Sequence, residues 1–275
     1  ESLDGIIINE QKIAVLDGTS PHVYEPRYIG AVESIVNLAE FLDEKMLASS
    51  RKLIENVLGE KQRGFERVYR CLSAYKKLSE NIESLVYPCL KHEKIKKYAQ
   101  RFAQELEQGS GEEEHLLTRS IGMRGLFSFD TYFENSTIYY EINDYFESAH
   151  FMMREIYAAM KTGKVDLKMS NNPIIKDRID CLCATNNGLT FEISNEMNDS
   201  VRSINMKRFV DCDEIAKIRQ DYRAIARVRD GILALALDEF QNIYKYHFLL
   251  EEIYGSAMNF CAKEQFTKDF CNKIF

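Results

Sequence analysis

The feature that most constrains this chain is a match of the sequence to itself at a distance of 168 residues. Asn37-Leu-Ala-Glu-Phe-Leu-Asp43 falls on Asn205-Met-Lys-Arg-Phe-Val-Asp211, sharing Asn, Phe and Asp at one spacing, with Leu47 on Ile215 and Arg51 on Arg219. Upstream, Ser2-Leu-Asp-Gly-Ile-Ile7 falls on Ser170-Asn-Asn-Pro-Ile-Ile175, and Ile13 and Val15 fall on Cys181 and Cys183, all without a gap. Several matches at one offset point to duplication, which restricts the fold to two like units in tandem. A length of 275 residues agrees, since roughly 150 residues per domain gives about two.

The copies are unequal. His115 to Met169, 55 residues, lies ahead of the matching point at Ser170, whereas Glu1 alone lies ahead of Ser2. The first copy is therefore expected to lack its opening segment. Between the copies, Gln108-Gly-Ser-Gly-Glu-Glu-Glu114 is flexible and acidic in composition, either a natural loop or an engineered joint. The expected division is a truncated first unit over residues 1–108, a linker over 109–114 and a second unit over 115–275.

The second copy spells out its elements. Ser136 to Ile142 is β-branched and aromatic and predicts a strand. Phe151, Met152, Glu155, Ile156 and Met160 recur at helical spacing within Glu147–Lys161, with Gly163 to end the helix. Strand signals return at Val165–Met169 and Asp180–Ala184. Strand, helix, strand, strand with short joints predicts an α/β fold with a parallel sheet. From Ile215 to Tyr254 apolar residues recur every three or four positions, which predicts one long helix or a helical hairpin, and Asp43 to Val86 repeats this in copy one. Asp43 and Asp211 stand where N-caps belong. Each copy is thus an α/β unit with a long helical appendage.

Composition narrows the function classes. Acidic residues exceed basic ones by 43 to 36, a net charge of -7, which gives no electrostatic footprint for a phosphate backbone and argues against nucleic acid as partner. The longest apolar run, Ile232 to Leu237, falls far short of the roughly 18 residues of a membrane span, so no membrane partner is expected. Seven cysteines without a C-x-x-C pair argue for reduced thiols and a cytoplasmic location, and His92, His115, His150 and His247 show no spacing for a metal.

Ser2-Leu-Asp-Gly-Ile-Ile-Ile8, the run Ile13-Ala-Val-Leu-Asp-Gly-Thr-Ser-Pro-His22, and Pro26-Arg-Tyr-Ile-Gly-Ala-Val32 with Asn37-Leu-Ala-Glu-Phe41 resemble a family of uncharacterised tandem-domain bacterial P-loop ATPases. Copy two is similar to that family's second domain through Gly122-Met-Arg-Gly-Leu-Phe-Ser-Phe129. The resemblance implies two P-loop NTPase-like units and a Gly-rich phosphate loop between first strand and first helix. Copy one begins after that position. In copy two Asn143-Asp-Tyr-Phe-Glu-Ser-Ala-His150 stands there instead, with no Gly and no Lys to cradle phosphate.

Asp17, after four apolar residues, looks like a Walker B carboxylate holding Mg2+; the plain alternative is a buried strand ending in an Asp-Gly turn. Its partner in copy two is the neutral Thr185. Thr19 and His22 follow on the same loop and would line the phosphate side of bound ATP; His22 reads equally as a structural residue at the Pro21 turn. Lys91 to Lys97 reads as a solvated helix face or a weak anion patch. Two functions follow. One is a nucleotide-binding, Mg2+-dependent P-loop NTPase-like protein whose given residues do not hydrolyse ATP alone. The other is a non-enzymatic scaffold whose long helices dock a protein partner or a second copy.

Overall fold

The computed structural model describes residues 5–18, 24–129, 131, 136–194 and 202–274. Thr19 and His22 lie outside the described residues. The chain is mixed α/β. In order come β1 (Gly5–Ile8), β2 (Ile13–Leu16), a 3-10 turn at Leu38–Phe41, α1 (Glu44–Ser49), α2 (Arg51–Val86) and α3 (His92–Gln104). There follow β3 (Glu113–His115), β4 (Arg119–Gly122), β5 (Gly125–Ser128), β6 (Ile138–Asn143), α4 (Ala149–Thr162), β7 (Leu167–Asn171) and β8 (Ile179–Ala184). Last are β9 (Leu189–Ser194), β10 (Arg202–Asn205), a 3-10 turn at Met206–Phe209, α5 (Cys212–Ser256) and α6 (Phe260–Ile274). Among the described residues, no helix is long and apolar enough to cross a membrane.

The chain divides into two compact units, one of Glu1–Arg51 with Glu252–Phe275, the other of Lys52–Glu251. The division expected at residues 109–114 does not coincide with either boundary. That segment is instead tied into the second unit: the Asp166 carboxylate accepts from Ser110 Oγ at 2.9 Å and from the backbone N–H groups of Gly111 and Glu112 at 2.7 and 3.1 Å. Gly111 has φ +80°, a left-handed conformation that a residue without Cβ adopts at little cost.

The second unit carries a six-stranded sheet in the order β10-β6-β9-β8-β7-β3. β6 lies between β10 and β9 and is parallel to both, but β8 runs antiparallel to β9 and β7. The sheet is therefore mixed rather than parallel. β7 and β8 are joined by only seven residues, too few for a parallel crossover, so they pair as a hairpin. α4 buries Phe151, Met152, Met153, Ile156 and Met160 in one core with Ile142, Leu182, Phe191 and Ile204 of the sheet and Ile95 and Ala99 of α3. Cys181 and Cys183 point to the other sheet face and bury with Leu116. α5 is one unbroken helix of 45 residues, and within the second unit it runs antiparallel to α2. Phe65 meets Phe240 at 6.5 Å, Arg67 bonds Glu239 at 2.6 Å and Arg229 lies over the Tyr75 ring at 5.1 Å. Gly64 permits the close approach, because a Cβ there would lie 2.6 Å from Cγ1 of Ile243.

In the first unit β1 and β2 form a two-stranded antiparallel hairpin, Gly5 opposite Leu16 and Ile8 opposite Ile13. Its counterpart in the second unit is the β7–β8 hairpin, where Leu167 stands opposite Ala184. Ile13–Leu16 keeps the 168-residue offset onto Cys181–Ala184, whereas β1 falls on irregular residues at that offset. The ungapped match expected upstream of Ile13 is thus corrected: the hairpin loop is longer in the second unit.

Downstream, one local geometry occurs twice at that offset. Asn37 and Asn205 each accept from the N–H two residues on, at 3.1 and 3.0 Å, and open the two 3-10 turns. Asp43 accepts from Lys45 and Met46 N–H, Asp211 from Asp213 and Glu214 N–H. In the first unit Asp43 N–H donates to Ala257 and Asn259 N–H to Phe41, both at 2.8 Å; in the second Asp211 N–H donates to Cys89 and Lys91 N–H to Phe209, again at 2.8 Å. Phe41 packs on Phe266 at 5.5 Å, and Phe209 on Tyr98 at 5.1 Å. In each case the two partners come from different halves of the chain: α6 serves the early turn and α3 the late one.

The environments differ sharply. Met206 is fully buried whereas Leu38, its counterpart, is 47% exposed. Met206→Ala is expected to cost about 2–5 kcal/mol by cavity formation. Leu38→Ala should cost under about 0.5 kcal/mol, as at an open surface site. Urea denaturation of the two variants checks the contrast.

Candidate functional site

In an open α/β sheet, ligands bind beyond the carboxyl ends of strands, where the connections diverge to either side. Here that place is the loop from Asn143 to Ser148, which leaves the carboxyl end of β6 and enters α4. This is the stretch that the sequence places where a phosphate loop would stand.

The loop is folded onto itself. Asp144 accepts from Ala149 N–H at 2.9 Å, taking one of the donors that the start of α4 presents, and burial pushes its carboxyl up from the ordinary value. Phe146 and Glu147 both have φ +56°, a left-handed conformation costly for residues with a Cβ. Aromatic contacts hold the turn: Tyr145 to Phe146 at 4.9 Å and Phe146 to Tyr222 of α5 at 4.5 Å.

That strained turn aims Glu147 at cations. Arg229 of α5 donates to Glu147 Oε1 from Nη1, while its Nη2 donates to Asp230 at 2.8 Å. Arg178 Nη1 stands 3.8 Å from Glu147 Oε2, and Tyr222 OH donates to Oε1 at 3.4 Å. Arg178 also donates from Nη2 to Glu83 Oε2 of α2 at 3.2 Å, and His150 Nε2 lies 3.4 Å from the same oxygen. The His150 ring and then Arg178 hold the Glu83 carboxyl well down, to about 2. Charge of both signs is thus gathered at the start of α4 and neutralised by the protein's own side chains. The guanidinium groups that could grip a phosphate are already engaged with carboxylates.

Of the residues expected to hold nucleotide and Mg2+, Asp17 alone is among the described residues. Asp17 follows β2 directly, but β2 is a strand of a two-stranded antiparallel hairpin and its residues from Ala14 on are exposed. A Walker B carboxylate ends a buried parallel strand, whereas β2 pairs antiparallel with β1. Among the described residues, no group of three His, Cys, Asp or Glu side chains could hold a metal ion. Lys94 and Lys97 do border a groove of 440 Å³ with Arg101, Arg208, Tyr98 and Phe209. Lys94 there donates to the Arg208 carbonyl at 2.8 Å and lies over Phe209 at 5.3 Å, so it serves the fold as well as the surface.

Sequence reasoning found the Asn143–His150 loop and its carboxylates but missed Arg229, Arg178 and Glu83, which reach it from α5, the β7–β8 loop and α2. The one available signal is Arg229, a charge that falls on the same helical stripe as Tyr222 and Ala236. No family of known proteins, no curated protein and no solved structure matches this chain.

Two outcomes follow from the cluster. Glu147 and Arg229 are mostly buried, so Arg229→Met leaves a buried carboxylate short of a partner and should cost about 3–5 kcal/mol, with part regained in the Arg229→Met, Glu147→Gln double variant. Because the folded Glu83 carboxyl sits below its unfolded value, its contribution is present above about pH 4.5 and lost as pH falls toward about 2. Glu83→Gln should flatten stability against pH in that window, as read from urea midpoints.

Proposed function

We propose that this chain is a non-enzymatic interaction protein, a duplicated α/β scaffold in which the position of a phosphate loop has become an internal ion-pair lock. The observation that carries this reading is Glu147, turned inward by a strained backbone and held by Arg229 and Arg178 where an anion would have to sit. A triphosphate entering there would meet Asp144 and Glu147, both carboxyl groups, before any cation came free. The recurrence of caps, backbone bonds and aromatic pairs at one offset supports the duplication. Partner binding is supported by α5, which leaves Val228, Leu235 and Phe248 exposed along its length.

The competing reading is a nucleotide-binding protein of the P-loop NTPase type, with ATP and Mg2+ at Asp17, Thr19 and His22. What favours it is a likeness of fold rather than that site: β6, in the other unit, is flanked on both sides by parallel strands and followed by a helix. Thermal-shift titration with ATP and Mg2+ separates the two. The scaffold reading expects an unchanged Tm through millimolar ATP. A saturable rise, corresponding to about 2.7 kcal/mol at a hundred times Kd, would overturn it.

A further inference from the structure

The turn at Met206–Phe209 packs on α3 as the turn at Leu38–Phe41 packs on α6, each pair within its own unit. The helices keep the same 168-residue offset, so Tyr98 and Phe102 of α3 stand where α6 has Phe266 and Phe270. Their packing contacts match one for one. Lys91 N–H donates to Phe209 and Asn259 N–H to Phe41, both at 2.8 Å. Tyr98 lies 5.1 Å from Phe209 and 5.3 Å from Phe102, and Phe266 lies 5.5 Å from Phe41 and 5.9 Å from Phe270. Leu90 bridges Val210 as Met258 bridges Leu42.

The charges do not follow. Lys94, Lys97, Arg101 and Arg208 border the groove of 440 Å³ at the late turn, with Glu93 as a carboxylate beside them. At the same offset stand Ala262, Gln265, Asp269 and Glu40, with Cys261 for Glu93. The early turn makes the same packing without a cation at any of these places, so the packing does not require them. Lys94 is spent in part on the Arg208 carbonyl, but among the described residues no carboxylate pairs with Lys97, Arg101 or Arg208. Both guanidinium groups act on the Tyr98 hydroxyl, so their charges bear on one end of the groove.

The shape of this charge says what it fits. Lys94, Lys97 and Arg101 share one face of α3 over about 10 Å, a row rather than a cradle. The N–H groups of Lys91, Lys94 and Ile95 are already bonded to the Phe209 and Lys91 carbonyls, so none is turned toward a compact anion such as phosphate. Lys94 lies over the Phe209 ring at 5.3 Å and Arg208 at 6.0 Å, which puts cations near the ring that a nucleic-acid base would stack on. A row of long cationic side chains beside aromatic rings suits carboxylates spaced along an extended chain.

We propose that the groove between α3 and the Met206–Phe209 turn binds an extended acidic segment of a protein partner. Its carboxylates pair with Lys97, Arg101 and Arg208, and an apolar side chain between them rests on Tyr98. The inference rests on the interaction reading above and names a partner for it.

The probe is the peptide Glu-Glu-Leu-Glu-Glu, blocked at both ends and titrated calorimetrically into the full chain at about 0.15 M salt, where charges more than roughly 8 Å apart are screened. Saturable binding is expected, at least about tenfold weaker for the same peptide with Gln in place of Glu. The variant Lys97→Gln, Arg101→Asp, Arg208→Glu installs the residues of the other turn; it should keep its Tm and bind the peptide at least about tenfold more weakly. Arg219→Glu, Arg223→Glu, Arg227→Gln on α5 makes the same change of charge elsewhere and should leave binding within about twofold. No saturation through millimolar peptide overturns the proposal, as does undiminished binding by the groove variant or equal loss in the α5 variant. Tighter binding of a single-stranded oligonucleotide of equal charge overturns it too, because the occupant is then nucleic acid. The ATP titration fails separately: a rise in Tm that the groove variant retains overturns the interaction reading, whereas a failed peptide leaves that reading the exposed residues of α5.

Discussion

The burial of α4 against the six-stranded sheet is the interaction on which the second unit depends. Its Phe151, Met152, Met153, Ile156 and Met160 join β6, β8, β9, β10, α3 and the Met206–Phe209 turn into one apolar core. Burying each such side chain contributes about 1.5–3 kcal/mol, so this one helix outweighs any polar contact nearby. It also decides local structure. β10 exists as a strand because β6 stands beside it, and β6 is held by α4. Where the first unit has no described element in that place, the equivalent backbone makes a 3-10 turn and a cap but no ladder.

The caps survive that difference because they are local. Asn37 and Asn205 close bonds to N–H groups two residues on, and Asp43 and Asp211 bond donors within the next turn. Such bonds need only the right residue at the right spacing. The backbone exchange between Asp43 and Ala257, and between Asp211 and Cys89, is long-range, yet it too is made twice with the same length. In both cases the turn is met by the residues that lead into a helix, Ala257 and Asn259 ahead of α6 and Cys89 and Lys91 ahead of α3. The early turn thus belongs with residues near the end of the chain, and one compact unit is accordingly made of Glu1–Arg51 and Glu252–Phe275.

This division between local and long-range also explains what could be read from sequence. The strand at Ser136–Ile142, the helix ending at Gly163, the caps at Asp43 and Asp211 and the long helix after Ile215 rest on period and end signals, and each stands near its expected bounds. The sheet did not follow, because a seven-residue connection between β7 and β8 decides direction and composition does not encode it. The 109–114 segment reads as flexible from Gly and Ser, but Asp166, more than fifty residues away, supplies the acceptor that orders it. Asp17 reads as a magnesium ligand only if its strand is parallel and buried. An apolar tetrapeptide followed by Asp fits an exposed hairpin equally well.

At the start of α4 the protein's own carboxylates meet the donors and cations that gather there. A helix beginning offers N–H donors and a positive field, and an α/β sheet sets it at the mouth of the parallel strands. A phosphate and a carboxylate compete for that place on the same terms. Here Asp144 takes a backbone donor, and Glu147, at the cost of two left-handed residues, takes the guanidinium groups. The strain is met by the burial of Phe146 against Tyr222 and by ion pairing in a setting where each charge finds an opposite. Because Arg229 and Tyr222 lie on α5 and Glu83 on α2, the lock also fixes both long helices to the sheet. A site for a diffusible anion has to release its ligand; a side chain held from α5 and from the β7–β8 loop does not, so these charges serve the architecture.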